Sequence, residues 1–247
     1  MHPLIKKFTW VTLFSIAMGF METVVVVYLR RIYYPDGFHF PLVPMDANLA
    51  IVEIMREAAT IIMLLGIGYL AGKNTSQKFA WFIFSFAIWD ICYYIFLKLL
   101  LNWPESFLSW DILFLIPVPW VGPVIAPCVI SFTMLILASG IIYFQEHGCN
   151  TRIASKEWVL LSSGSLTVIV SFIWDFVSFM FREETGARIY TLTEKNMDIL
   201  NYVPSQFNWW LFATGELLII LGVVLFVKRM KSMKAELSQQ MFEPDIY

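Results

Sequence analysis

Val52-Glu53-Ile54-Met55-Arg56-Glu57-Ala58-Ala59-Thr60 places three charges inside a run that is otherwise apolar from residue 49 to residue 72. A charge left unpaired near the centre of a bilayer costs roughly 2.5–3.5 kcal/mol, and such residues mark ion paths, proton relays or binding sites by default. Glu53 and Glu57 are four apart and share one helix face, with Arg56 on its flank within reach of Glu53. Further ionisable residues recur in the other apolar runs: Glu22, Asp90, Lys98, Asp175 and Glu216. Together these eight are the candidate substrate- or ion-binding residues. The plainer reading of the Glu53/Arg56/Glu57 group is a structural ion pair that locks two helices.

The available chemistry is narrow. Only His2, His39 and His147 occur, none of them in an apolar run. A bis-His haem and the His-rich iron sites of desaturases are excluded. No Glu-x-x-His pair is present, so a di-iron bundle site lacks its ligands. No metal site or cofactor is expected. A carboxylate-only site suits protons or hard cations rather than zinc or copper. There is no P-loop and no Gly-rich dinucleotide turn. Cys92, Cys128 and Cys149 do not make a disulfide framework.

The elements that must position these groups follow from hydropathy. The 247 residues are 59% apolar, 17% aromatic and 15% charged, and the mean hydropathy is +0.69. Soluble domains carry about 25% charged residues. The reading is an all-α, polytopic membrane bundle forming one integral-membrane domain. Six spans are expected, at about 8–29, 49–72, 79–102, 120–144, 158–181 and 209–227. The first is too long for the apolar core of a signal peptide. Membrane lipids are therefore partners, and the net charge of −2 argues against nucleic acid.

Two stretches break the helical pattern. Residues 110–116 are apolar but too short to cross, and an interfacial or re-entrant segment is expected there. Pro117, Pro119, Pro123 and Pro127 follow. Four prolines in eleven residues predict a broken fourth helix, regular only from about Ile130. Non-helical backbone at membrane depth survives only against protein or a wet cavity, so freed carbonyls there are candidate ligands.

Basic residues set an orientation. With the N-terminus in the cytoplasm, the inner segments hold Lys6, Lys7, Lys73, Lys78, Arg152, Lys156, Lys228, Arg229, Lys231 and Lys234. The outer ones hold Arg30, Arg31, Arg182, Arg188 and Lys195. Both termini are expected inside, in a cell (plasma or inner) membrane. Glu22, Glu53, Arg56, Glu57, Lys98 and Asp175 then fall in the outer half, with Asp90 and Glu216 near the middle. One polar cavity open to the outside is the expected arrangement. Ile88-Trp89-Asp90 with Phe96 also echoes Ile173-Trp174-Asp175 with Phe181, which would suit parallel repeats.

The function expected from these features is proton- or cation-coupled transport of a small solute. Two alternatives stand beside it. One is an intramembrane enzyme acting on a lipid or lipid-linked substrate, with Arg56 and Lys98 holding a phosphate. The other is a non-catalytic subunit of a membrane complex. A chain this small also makes a homo-oligomer a plausible partner state.

Overall fold

A computed structural model describes residues 3–185 and 202–242. Among these residues the helices are α1 (Pro3–Tyr33), α2 (Ala47–Ala71), α3 (Thr75–Leu101), α4 (Ile125–Glu146), α5 (Ser155–Thr185) and α6 (Trp209–Phe242). A two-stranded antiparallel hairpin, β1 (Trp110–Phe114) and β2 (Trp120–Pro123), separates α3 from α4. Five helices are long and apolar enough to cross a membrane; α2, which carries three charges, is not among them. This is the make-up of a multi-pass integral membrane protein. Arg188 and Lys195, assigned above to the outer segments, lie outside the described residues.

Burial is inverted relative to a soluble protein. Trp210 is 87% exposed, Leu70 81% and Trp10 71%, while Glu53, Glu57, Asp90, Asp175 and Glu216 are buried. On α2 the inward stripe is Glu53, Glu57, Thr60, Leu64 and Gly68, at the three- and four-residue spacing of one helix face. Ile51, Met55, Ile62 and Leu65 point out.

The helices pack as a row. α1 and α2 both lie on α3, α3 lies on α4, α4 touches α6, and α6 packs extensively on α5. Small residues make the close crossings. The inward stripe of α1 includes Ser15, Gly19 and Thr23. A Cβ at Gly19 would come 2.8 Å from the Trp89 carbonyl oxygen of α3. Gly164 of α5 and Gly215 of α6 face each other, and a Cβ on either would meet the other's carbonyl oxygen within 3 Å. Close backbone approach of this kind holds helices together where water exclusion contributes nothing.

The ends of the bundle separate into two faces. On the N-terminal face Lys7 Nζ donates to the Ala71 carbonyl at 2.7 Å, and Arg229 donates from Nε and Nη2 to the Glu157 carboxylate, each at 2.8 Å. α6 continues well past its apolar stretch there because Met230, fully buried, and Met233 and Leu237 still reach the core. The opposite face carries the hairpin base, where Val124 N donates to Ser109 O at 3.0 Å and Ile125 N to Phe107 O at 2.9 Å.

From that base the hairpin re-enters the bundle. Phe114 reaches Phe86 and Trp89, at ring-centroid distances of 6.5 and 6.3 Å. Those residues lie near the middle of α3, roughly 20 Å from its start at 1.5 Å per residue. Trp120 stacks on Phe172 of α5. Through these rings the hairpin bridges α3 and α5.

The proline-rich segment thus departs from the sequence expectation. The non-helical backbone is there, but as a hairpin: Pro117 and Pro119 lie in its tip and Pro123 ends β2. α4 is regular from Ile125, earlier than Ile130, with Pro127 in its first turn. First-turn N–H groups have no helical partner in any case, so proline costs little at that position. Residues 110–116, expected as an interfacial or re-entrant segment, supply β1 and the start of the tip.

Candidate functional site

Four of the eight candidate residues meet at one place. Glu22 of α1 and Glu53 of α2 both accept from Arg56. Arg56 is bidentate on Glu53, with Nε at 3.1 Å from Oε2 and Nη2 on Oε1, and its Nη1 reaches Glu22 Oε1. The other Glu22 oxygen accepts from Thr60 Oγ1 at 3.1 Å. Glu57, one turn on from Glu53, accepts from the Leu115 backbone N–H at the hairpin tip, at 2.9 Å. The i, i+3 and i+4 spacing on α2 delivers all of these side chains to the seam between α1, α2 and the hairpin. The guanidinium fork matches a carboxylate in a way an ammonium does not. Arg56 keeps 19% of its side-chain surface exposed, against 11% for Glu22 and 10% for Glu53.

The remaining candidates lie elsewhere. Asp90 of α3 accepts from Ser131 Oγ of α4 at 2.8 Å. Glu216 of α6 accepts from Thr133 Oγ1 of α4 on Oε1, and its Oε2 is buried with no hydrogen-bond partner among the described residues. Asp175 lies near the hairpin-face end of α5. It accepts from Tyr202 Oη at 2.9 Å, Ser205 Oγ at 2.8 Å and Ser205 N at 3.1 Å. Burial, then the Asp175 carboxylate, hold the Tyr202 phenol above its usual range. Lys98 turns outward and donates to the Asn102 and Pro104 carbonyls at 3.3 and 3.0 Å, the snorkelling expected of a lysine near a helix end. Arg56 therefore pairs with Glu22 and Glu53, not with Asp175, and Glu216 pairs with neither Lys98 nor Arg56.

The single polar cavity expected from the sequence is resolved into separate groups. The echo between Asp90 and Asp175 does not extend to their surroundings: Trp89 is buried against Phe114, while Trp174 is 49% exposed. At the proline-rich segment the backbone group offered to the site is an N–H, from Leu115, rather than a freed carbonyl.

Sequence reading missed one buried pair. Arg30 Nη2 of α1 donates to Asp111 Oδ1 of β1 at 2.8 Å. The guanidinium also lies 3.8 Å from the Trp103 ring centroid and 4.3 Å from that of Phe38. The pair anchors the hairpin to α1. The signal was present, since Asp111 is the only charge in residues 110–116. The partner hydroxyls Ser131 and Thr133 were also missed, because a serine or threonine in an apolar run is common and says little alone.

As chemistry, the cluster is two carboxylates on one guanidinium with a third carboxylate one turn away, groups that can exchange protons. Among the described residues no group of three or more His, Cys, Asp and Glu side chains is arranged to hold a metal ion. Comparison with known proteins adds nothing to this geometry: no protein family, no curated protein and no solved structure matches the chain.

Proposed function

We propose that this protein moves a small solute across the membrane with coupled protons, and that Glu22, Glu53, Arg56 and Glu57 are the coupling site. The observation that carries the reading is the charge imbalance at the α1–α2 seam. Glu22 and Glu53 share the one guanidinium of Arg56, and a third carboxylate, Glu57, stands one turn along α2 on the Leu115 N–H. Buried charge is tolerated only when paired or neutralised. Protons supply the balance here more readily than a metal ion, because no metal-holding group is assembled among the described residues. Glu57 is the moving part of the proposal. Its partner belongs to the hairpin tip, so gain or loss of a proton changes what holds the tip at mid-bundle.

The proposal includes a topology. α2 crosses with the other five helices, because its charges face inward and its apolar residues outward. The N-terminal face is cytoplasmic, in keeping with the ten basic residues assigned there against five on the other. The hairpin then enters from outside a cell membrane. Phosphate capture by Arg56 and Lys98 is the poorer reading. Arg56 is held by two carboxylates and Lys98 points away from it.

Proteoliposomes loaded with a pH-sensitive dye test the proposal. They are challenged with a panel of amino acids, sugars, organic anions and organic cations. At least one solute moves the internal pH in the wild type, and Glu57→Gln abolishes the response at equal protein loading. A wild type silent to the whole panel, or a Glu57→Gln variant that responds normally, counts against it.

A further inference from the structure

A cavity of about 930 Å³ opens on the N-terminal face of the bundle. Ligand pockets commonly fall between 300 and about 1,000 Å³. Its wall is built from the start of α3, the loop between α4 and α5, the start of α5 and the far part of α6. Arg229, one of its lining residues, stands roughly 30 Å along α6 from Trp209. That distance matches the hydrocarbon core of a bilayer, so the cavity lies at headgroup level.

The lining carries charge of one sign. Arg152 and Arg229 belong to it, and no Asp or Glu does. Glu157, 3% exposed, holds Arg229 in place by accepting from Nε and Nη2, each at 2.8 Å. Nη2 also donates to the Arg152 carbonyl at 2.9 Å, which fixes the two arginine residues relative to each other. Donors remain on both. Arg229 Nη1 makes no hydrogen bond among the described residues. The exposed Arg152 guanidinium makes neither a hydrogen bond nor an ion pair among them. A guanidinium held along one edge and free on another suits a phosphate oxygen. Part of the lining is apolar: the Phe79 and Trp158 rings pack with centroids 5.2 Å apart. A bare inorganic anion would leave that part unused, whereas an organic phosphate would cover it.

We propose that this cavity binds an anionic phosphate ester. Its phosphoryl oxygens accept from the Arg152 guanidinium and from Arg229 Nη1, and its organic part lies against Phe79 and Trp158. The headgroup region of an acidic phospholipid and a soluble nucleotide share this chemistry. The site is separate from the α1–α2 seam and does not depend on the transport reading.

The test titrates the full chain, in micelles of a neutral detergent, with dioctanoyl phosphatidic acid, dioctanoyl phosphatidylcholine, dioctanoylglycerol and ATP. Native mass spectrometry counts the adducts. Phosphatidic acid or ATP binds saturably. Binding of the first alone assigns a lipid source, of the second alone a soluble one, and of both places recognition in the phosphate. Arg152→Gln weakens that binding about tenfold, the worth of one charge-assisted hydrogen bond. Thr75→Trp fills the cavity from an exposed position beside the Asn74 cap and abolishes binding. Both variants keep the wild-type melting temperature. Lys6→Gln removes an exposed charge outside the cavity and leaves binding unchanged. Binding of neither anion overturns the proposal, as does phosphatidylcholine or dioctanoylglycerol binding as tightly as phosphatidic acid. So does normal binding in both Arg152→Gln and Thr75→Trp. A loss in Lys6→Gln equal to that in Arg152→Gln also overturns it, since diffuse attraction to a basic surface then explains the adducts.

Discussion

Around Arg56, charges from α1 and α2 are gathered into one network with the hairpin tip beside it. Around α4, each acid instead meets a single hydroxyl: Asp90 takes Ser131 and Glu216 takes Thr133. Both regions keep carboxyls away from water, yet they do so by different physics. In the first, charge balances charge and a surplus of acid is left over. In the second, a neutral dipole is the only partner, which supports a carboxyl weakly and joins two helices on the way. Under the proposed function the first region is the one that changes its charge state. In the second, each acid–hydroxyl pair joins two helices, with Glu216 buried between α4 and α6.

The largest expected effect breaks the first region. Arg56→Leu leaves Glu22 and Glu53 without their cation and costs about 3–5 kcal/mol, the usual loss for half of a buried ion pair. Thermal unfolding in detergent measures it. Converting Glu22, Glu53 and Arg56 together to Leu, Leu and Met recovers most of that stability while transport stays lost. If Arg56→Leu costs under about 1 kcal/mol, the cluster behaves as an exposed ion pair, and the contrast between the regions fails.

Next comes the packing that brings the acids together. Gly19→Val drives its side chain into the Trp89 carbonyl of α3 and destabilises by about 1–3 kcal/mol. Gly140→Val, where a Cβ meets nothing closer than 4.0 Å, is the matched control and costs much less. Equal losses at both positions would mean that β-branching rather than backbone approach is being measured.

The second region responds more weakly. Ser131→Ala removes the side-chain hydrogen bond that Asp90 accepts among the described residues and costs about 1–2 kcal/mol. Adding Asp90→Asn to Ser131→Ala returns part of that loss, because an amide is cheaper to bury than a carboxylate. A loss as large as that of Arg56→Leu would place Asp90 in a charge network of its own. Smallest of all is Lys98→Gln. The ammonium touches only loop carbonyls at the surface, so stability shifts by less than about 0.5 kcal/mol and solute-driven pH changes are untouched.

The inward stripe of α2 was legible because Glu53, Glu57 and Thr60 repeat at helical spacing within an apolar run. Lys98 turns outward because a lysine in the last turn of α3 has only one inexpensive place to put its charge. The prolines announced irregular backbone but not its form. A hairpin requires that 110–114 and 120–123 pair with each other, and their apolar residues equally suit an interfacial segment. Arg30 and Asp111 lie 81 positions apart, and no periodicity links residues so distant.

By itself the sequence determined that this is a membrane-type helical chain, which residues carry charge into apolar runs, and that four prolines prevent a continuous helix ahead of α4. Those properties are local: hydropathy, helical period and the missing proline N–H act within a few turns of the chain. Which acid meets which partner was decided only in three dimensions. Glu22 joins Arg56 because α1 and α2 flank the same helix. Glu57 meets Leu115 because a hairpin descends to mid-bundle. Ser131 and Thr133, two residues apart on α4, turn to α3 and α6 because successive helix positions point in different directions.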